Sequence, residues 1–534
     1  MHTILAAMIY DVDVAVIGGG LGGAAAALAA CEAGRSVVLT EAVDWLGGQM
    51  TSQGVSALDE HEHIETYGGT RSYMALRKAI REHYQARYGV PTMPDGRPLN
   101  PGDGWVSRLC FEPRIGLAAL QAMLAPHVAS GRLAILLNST PQSAVMRDDR
   151  VLEVRLQTID ADASVQAAEV AELAEATIRA RFFLDATELG DLLPLTGTEY
   201  VTGAESRADT GEPDAPPEAR PSELQSFTYC FAVEYCPGER HLIEKPPGYE
   251  YMRDAQPYTL VLRNKDSSPR PFKMFAPGVT GLPFWTYRRL LSRALLDPQG
   301  IHGLRDLSLI NWNSNDYHWR SIIDVSFEDR AAALDEAKRL SLGFLYWLQT
   351  ECPRDEGGFG YPELKLRPDV MGTLDGLSKF PYIRESRRIV ALTRIVEQDI
   401  LAALQPDARQ AAWPDSVGVG WYPMDLHPAV GNPRSMFEPT LPFQIPLGAL
   451  IPRRTENLIA ACKNIGVTHL TNGAYRLHPV EWNIGESAGA LAAFCCETGL
   501  VPRAVRDDAT SLARFQDRLR ARGVPLDWSL AVGH

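Results

Sequence analysis

The 534-residue sequence lacks the features of several protein classes. No stretch approaches the ~20 apolar residues needed to span a bilayer, and residues 1–7 lack the basic region of a signal peptide. Eight cysteines in so long a chain are not a disulfide framework, and none forms the Cys-x-x-Cys pair of a zinc ribbon or thioredoxin-like site. We therefore expect a reducing, cytoplasmic compartment and no membrane partner.

Positive charge is also in deficit, with 52 Lys and Arg against 66 Asp and Glu and a net charge of -14. Such a charge repels phosphate backbones and anionic lipids, so we expect no nucleic-acid partner. The hydrophobic fraction of 45% and the charged fraction of 22% are ordinary for a globular protein. At this length about three structural units are expected.

What the sequence does contain is a glycine fingerprint, Gly18-Gly19-Gly20-Leu21-Gly22-Gly23, between an apolar run at 12–17 and an alanine-rich stretch at 24–30. This order predicts a strand, a tight turn and a helix. Gly18 permits the turn, Gly20 lets a pyrophosphate approach the backbone, and Gly23 lets the helix pack closely on the strand. A second strand at 36–40 ends at Glu41, about 20 residues on, where an acid is expected to hold ribose hydroxyls. The pattern predicts a dinucleotide site.

Further along, a glycine turn follows at Gly47-Gly48-Gln49-Met50-Thr51. Helices are expected at 68–89 and 113–128, and strands at 133–137, 151–156 and 180–184; the interval 160–176 is predicted to be a hairpin excursion or a surface helix. Near the end, a short apolar strand at 457–461 and a helix start at 483–491 predict that a distant C-terminal segment completes the nucleotide domain.

The middle of the chain differs in composition. Residues 204–221 are acidic and proline-rich, which indicates a mobile loop or boundary. An aromatic-rich region follows, and its rings either line a substrate pocket or simply form a core. We predict a first part of the nucleotide domain at 1–203, an inserted α+β substrate domain at 204–370, a return at 371–500 and a helical tail at 501–534.

These segments, in this order, resemble the FAD-dependent oxidoreductases of the glutathione-reductase-like, two-domain type, in particular a bacterial group without a defined substrate. The resemblance implies an α/β fold: a Rossmann-like FAD-binding domain whose parallel sheet is flanked by helices. It also implies that Gly18, Gly20 and Gly23 surround the FAD pyrophosphate and that Glu41 binds the adenosine ribose.

The same resemblance assigns further cofactor contacts. Gly48, Gln49 and Met50 would approach the ribityl chain and flavin, and Gly485 and Gly489 would bring the last helix to the pyrimidine end of the ring. Asp185-Ala186-Thr187 is similar to the family's strand-ending turn, although Glu188 stands where a glycine is usual. No second strand-embedded G-x-G-x-x-G is visible, so a tight nicotinamide site is not expected, and oxygen or a separate carrier is the default electron acceptor.

Three histidines are candidates for proton transfer, because imidazole titrates near neutral pH. His469 should lie near the flavin, His427 has Asp425 as a possible ring-orienting partner, and His478 with Arg476 could position the cofactor or bind a substrate anion. Each could instead be a structural residue. The sequence Asp59-Glu60-His61-Glu62-His63 lacks metal-ligand spacing, so we expect a solvated loop and no metal.

Other charged or reactive side chains are weaker candidates. Lys379 and the arginines at 384–388 could bind a substrate carboxylate, although such charges more often cover a helix face. Cys110 has no cysteine near it in sequence, which disfavours a redox pair.

The sequence leaves three functions open. The leading one is an FAD oxidase or dehydrogenase that removes a hydride from a small or medium organic substrate. The second is an FAD monooxygenase that uses NAD(P)H and O2. The third is a non-catalytic protein that retains FAD as a scaffold. Substrate, oligomeric state and covalent attachment of the flavin are not determined by the sequence.

Overall fold

The computed structural model describes residues 8–158, 174–263, 268–405 and 411–528. The interval 160–176, for which a hairpin or surface helix was expected, lies almost wholly outside the described residues. No helix in the part of the chain that is described is long and apolar enough to cross a membrane.

The N-terminal third builds most of one large sheet. Its elements are β1 (Met8–Ile17), α1 (Leu21–Glu32), β2 (Val37–Thr40), α2 (Arg71–Tyr88), α3 (Pro113–Ala129), β3 (Leu133–Leu136), β4 (Ser139–Arg147), β5 (Arg150–Thr158) and β6 (Ala174–Asp185). The predicted strands and helices of this region are present at nearly the expected positions.

The middle of the chain contains shorter elements and one long helix. These are α4 (Leu192–Thr196), β7 (Tyr200–Val201), α5 (Arg207–Thr210), β8 (Phe231–Tyr235), α6 (Tyr249–Ala255), β9 (Val261–Arg263), β10 (Pro269–Pro271), β11 (Arg289–Leu291), α7 (Arg293–Leu296), β12 (Leu307–Ile310), α8 (Phe327–Thr350), β13 (Leu364–Leu366) and α9 (Pro368–Met371).

The C-terminal part returns to the large sheet and ends in helices. Its elements are β14 (Arg388–Ile389), α10 (Glu397–Ile400), β15 (Ser416–Gly420), β16 (Met424–Leu426), β17 (Met436–Glu438), β18 (Phe443–Pro446), β19 (Leu458–Ala460), α11 (His469–Tyr475), α12 (His478–Thr498), α13 (Pro502–Asp507) and α14 (Ala509–Arg522).

The large sheet has the order β3-β2-β1-β6-β5-β4. Strands β3, β2, β1 and β6 run parallel, while β5 and β4 continue antiparallel from the first half of β6. β19 pairs in parallel with the last residues of β6, so that Ile459 lies opposite Leu184. The expectation of a parallel α/β sheet completed by a distant C-terminal segment is confirmed.

Two hydrophobic cores support this architecture. The larger one surrounds the sheet and includes α1 and α12, whereas the second is rich in aromatic side chains from the middle of the chain. The second core packs around the long helix α8 and three strands, β12, β8 and β13, of the antiparallel sheet β11-β12-β8-β13. Most of the aromatic residues therefore form a core, the simpler of the two alternatives given above.

Residues 204–221, for which a mobile loop or boundary is predicted, contact the rest of the molecule at several points. Ala204 forms a bridge with Arg220, and the carboxylates of Glu205 and Glu212 are buried. Glu212 accepts a hydrogen bond from the Thr468 hydroxyl, and Glu205 accepts one from the backbone N–H of His469. Acidic composition suggested solvent exposure, but these acids are buried because they bind the start of α11.

Candidate cofactor and active site

The turn between β1 and α1 shows why two of the fingerprint positions are glycines. Gly18 has φ +100°, and a Cβ there would overlap the carbonyl of Ala186 at the end of β6. A Cβ at Gly23 would overlap the carbonyl oxygen of Gly18. Both glycines therefore allow close contact between the turn, β6 and α1, as the spacing predicted.

Glu41 follows β2 and is held at this turn. Its Oε2 accepts a hydrogen bond from the Gly19 N–H at 2.9 Å, and its Oε1 accepts one from Val43 at 3.3 Å. Burial, together with the charge of Glu188, raises the pKa of Glu41 to about 8, because both disfavour the carboxylate form. An open cleft with about 470 Å³ of empty space is bordered by Gly18, Glu41, Ser139 and Thr187.

The second glycine turn touches the first. Gly47 and Gly48 both have positive φ, and a Cβ at Gly48 would lie 2.9 Å from the Cα of Gly20. Gln49 Nε2 donates to the backbone oxygen of Arg476 at 3.1 Å. The Met50 side chain is buried against Gly116 of α3 and does not border the cleft.

The turn after β6 is held by its own polar groups. Asp185 Oδ1 accepts hydrogen bonds from the backbone N–H and the hydroxyl of Thr187 at 3.1 and 2.7 Å. Burial raises the pKa of Asp185 to about 7. Ala186 lies against Gly18, and Thr187 borders the cleft, so Asp185 acts on the cleft only by fixing the shape of this turn.

Gly485 and Gly489 contact another helix, which is not the role that the resemblance implied. Helix α12 begins at His478, earlier than expected, because Leu477 ends the preceding turn and Pro479 suits the first helical turn. The two glycines therefore lie in the middle of α12, where a Cβ would overlap the carbonyl oxygens of Gly22 and Ala26 in α1. They are glycines because the two helices pack closely.

Several buried polar atoms between the two glycine turns and the middle of the molecule have no hydrogen-bond partner. They are Gln49 Oε1, Gln53 Nε2 and Ser56 Oγ. Leaving such groups unpaired is costly, and their combination of donors and acceptors suits the ribityl hydroxyls and polar ring edge of a flavin. The glycine turns, Glu41 and these atoms fit FAD, and we refer to them together as the cradle.

His478 is a structural residue. Its Nδ1 accepts a hydrogen bond from the backbone N–H of Asp59 at 3.0 Å, and its Nε2 lies 3.0 Å from the carbonyl oxygen of Val55. Burial lowers the pKa of His478 to about 4, so the ring is neutral near pH 7. Both nitrogens are thus engaged by the backbone.

His469 starts helix α11 and is also enclosed. Its Nδ1 lies 2.9 Å from Glu385 Oε2, and Glu385 in turn pairs with Arg388. Burial, the largest contribution, lowers the pKa of His469, but the charge of Glu385 outweighs it and raises the pKa above its ordinary value. These contacts indicate a buried ion network that anchors the start of α11.

His427 has a different environment. Its Nδ1 lies 2.6 Å from Asp316 Oδ2, while its Nε2 lies 3.4 Å from Asp425 Oδ2. Asp316 rather than Asp425 is the closer partner, and no local pattern indicates it because His427 and Asp316 are 111 positions apart. Burial and Arg384 lower the pKa of His427, but Asp316 and Asp425 together raise it above its ordinary value. The ring keeps about a fifth of its exposure.

The groups around His427 form a charged recess. Arg476 Nη1 donates to Tyr382 Oη at 2.7 Å, and Arg476 Nη2 pairs with Asp425 at 3.2 Å. Arg288 pairs with Asp59 at 2.9 Å. Tyr422 interacts electrostatically with Asp425, Tyr287 and Arg288. We define the recess as His427, Asp316, Asp425, Arg384, Arg476, Tyr382, Arg288, Asp59, Tyr287 and Tyr422.

The two tyrosines of this recess are partly accessible. Burial is the largest cause of the raised pKa values of Tyr287 and Tyr422, yet neither side chain is fully buried. Gln49 joins the recess to the cradle through its bond to the backbone of Arg476.

Two expectations about charged segments are wrong. In the run 59–63, Asp59, Glu60 and His61 are buried, and Glu60 forms an ion pair with Arg77 at 2.9 Å. Only the side chains of Glu62 and His63 are accessible to solvent, as expected for a solvated loop. The arginines at 384–388 do not lie on a helix: this segment is extended, and all three are buried in ion pairs with Asp316, Asp324 and Glu205.

The remaining candidates have simple surroundings. Lys379 pairs with Asp44 at 2.9 Å and lies over the Trp45 ring. Cys110 is buried, and burial raises the pKa of its thiol to about 12, which keeps it protonated. Among the described residues one group has metal-ligand spacing, Cys236, Glu239 and His241, but Glu239 already pairs with Arg305 at 2.7 Å.

Comparison with known proteins places these features in a family. The family model described as FAD dependent oxidoreductase matches residues 13–519. None of the curated proteins compared with the chain matches it.

Solved structures with partial similarity include a variant of E. coli quinol fumarate reductase, at 11% identity, covering 96% of this chain and 74% of that one, with a TM-score of 0.32. A geranylgeranyl bacteriochlorophyll reductase-like protein from Thermoplasma acidophilum has 10% identity, coverages of 97% and 85%, and a TM-score of 0.34.

Proposed function

The chain belongs to the FAD dependent oxidoreductase family, and from that premise we propose that it oxidises a small or medium organic molecule at a carbon bearing O–H or N–H. Bound FAD supplies the hydride acceptor for such a reaction. The contribution of the chain is to bind the cofactor in the cradle, to orient the substrate in the recess and to accept the proton that leaves oxygen or nitrogen.

His427 is the group that we propose accepts this proton. The observation that carries the proposal is its contact with Asp316: a carboxylate 2.6 Å from Nδ1 holds that nitrogen protonated, which leaves Nε2 as the basic atom. His478 has no free nitrogen, and His469 is enclosed in an ion network. Of the three histidines, His427 alone keeps an accessible ring and an orienting carboxylate.

The recess supports a substrate with an anionic or oxygen-rich group. Arg288, Arg384 and Arg476 are buried, and the Nε of each has no hydrogen-bond partner. Tyr287 and Tyr422 have raised pKa values, so their phenols remain protonated donors. Each carboxylate of the recess, by contrast, already pairs with an arginine. A surplus of donors favours a ligand rich in acceptors, such as a carboxylate.

We also propose that oxygen or a separate carrier accepts the electrons, and that the protein acts in the cytoplasm. The free, buried state of all eight cysteines supports a reducing compartment.

The test is anaerobic reduction of the FAD-loaded protein by a panel of hydroxy acids, amino acids and uncharged alcohols. For a substrate that bleaches the flavin, His427→Gln should slow the bleaching by roughly 10²–10⁴-fold with FAD retained, because a positioned base contributes that much. His469→Gln changes another histidine that lies beside a carboxylate; it is the matched control and should retain its rate.

Equal loss in both variants would contradict the assignment of His427. If only NAD(P)H reduces the flavin and the product contains oxygen from O2, the protein is a monooxygenase and not an oxidase or dehydrogenase. If no reductant bleaches the flavin at a useful rate, the result would favour a non-catalytic protein that retains FAD as a scaffold.

A further inference from the structure

Glu188, the residue that stands where the family pattern has glycine, lies between the two glycine turns. A Cβ at Gly20 would be 2.7 Å from Glu188 Oε1, and a Cβ at Gly48 would be 2.5 Å from the same atom. Glu188 Oε1 is buried and has no hydrogen-bond partner. A carboxylate thus lies beside the backbone that a dinucleotide diphosphate must approach.

Lys463, which follows β19, brings the compensating charge. Its Nζ forms an ion pair with Glu188 Oε2 and lies 3.7 Å from Glu481 Oε2, and its side chain is almost completely buried. Within the described ranges it is the only basic residue that pairs with either glutamate. Burial lowers the pKa of Lys463, but the two carboxylates raise it above its ordinary value, so it stays charged.

Glu481 is largely committed to other donors. Its Oε1 accepts a hydrogen bond from the Gly22 N–H at 3.1 Å, and its Oε2 accepts one from Gln49 Nε2 at 2.6 Å. Glu481 therefore fixes the start of α1 against the second glycine turn, while Lys463 and Glu188 form an ion pair beside it.

We propose that Lys463 is the cation that neutralises the diphosphate of bound FAD, and that Glu188 opposes it, so that the balance of these two charges sets the affinity for the cofactor. The diphosphate adds two negative charges to a cluster with one cation and two glutamates. Glycine at position 188 would remove this opposition. The proposal concerns the cradle and does not depend on which substrate is oxidised.

The test is binding by the FAD-stripped protein of three ligands: FAD, ADP and adenosine, measured by calorimetry. ADP carries the diphosphate and adenosine lacks it. Lys463→Met should lower the affinity for ADP and for FAD by roughly 10–100-fold and leave the affinity for adenosine unchanged, because one charge contact is removed. Adenosine binding thereby also reports that the variant is folded. Lys379→Met, a lysine paired with Asp44 outside the cradle, is the matched control.

The opposing charge is tested with Glu188→Gln, which keeps the shape of the side chain. This variant should bind ADP and FAD roughly 3–10-fold more tightly, again with adenosine unchanged. Equal weakening of all three ligands in Lys463→Met, or unchanged ADP binding, would overturn the role of Lys463. Weaker ADP binding in Glu188→Gln would overturn the role of Glu188. Neither result bears on the reaction proposed for the recess.

Discussion

The cradle and the recess adjoin at Gln49, but they are built in different ways. The cradle is mostly backbone: Gly18, Gly23 and Gly48 bring chain segments so close that a methyl group would not fit. The recess is mostly side chain, with three aspartates paired to three arginines and His427 between two of the aspartates. The structure of the cradle therefore depends on close packing of the backbone, whereas the structure of the recess depends on the pairing of its buried charges.

The largest effect is expected where α12 packs on α1 behind the cradle. Gly485→Ala places a methyl group on the carbonyl oxygen of Gly22. We therefore expect the free energy of unfolding to fall by about 3 kcal/mol and FAD to be lost. Thermal unfolding and FAD content measure this.

Gly131→Ala is the control for that change. It adds the same methyl at a turn with φ +71° and no atom within 4 Å. Only backbone strain of about 1 kcal/mol should result. Equal destabilisation by the two changes would mean that helix contact does not support the cradle.

A smaller effect is expected for the acid at the ribose end. Glu41→Gln replaces one carboxyl oxygen, an acceptor, with an NH2 group that can only donate, so affinity for FAD should fall roughly tenfold, with little change in stability. Titration of FAD-stripped protein by flavin fluorescence measures it. Glu32→Gln, at the exposed end of α1, should have no effect. An unchanged affinity in Glu41→Gln would show that the ribose does not bind there.

The smallest effect is expected for His478. Because both ring nitrogens bond to the backbone and its pKa lies near 4, His478→Asn should leave the pH dependence of flavin reduction between pH 5 and 9 unchanged. A modest loss of thermal stability should be the only consequence. A shifted pH profile would show that His478 takes part in proton transfer.

The difference between a cradle built from backbone and a recess built from side chains explains what could be predicted from the sequence. The turn at Gly18, the acid at position 41 and the return of β19 to the sheet follow from local spacing and strand pattern, and they are present as predicted. The contact of His427 with Asp316 and that of Arg288 with Asp59 join residues 111 and 229 positions apart. No local pattern encodes such pairs.

Burial was equally hard to infer from composition. Charged runs at 59–63 and 384–388 are usually solvated, but here long-range partners bury most of them. The resemblance implied that the glycines at 485 and 489 bring the last helix to the flavin, whereas their close neighbour is another helix. Glu188 was visible as a departure from the family pattern, whereas its partner Lys463 carried no signal in the sequence.

The most direct test of the account is the pH dependence of substrate-driven flavin reduction in the wild-type protein and in Asp316→Asn. His427 must be neutral to accept a proton, and its pKa is raised, so the wild-type rate should increase with pH through a midpoint above about 6.5. In Asp316→Asn the midpoint should move to lower pH, because the carboxylate that raises the pKa of His427 is gone. A midpoint that is the same in both proteins would contradict the assignment of His427 as the base.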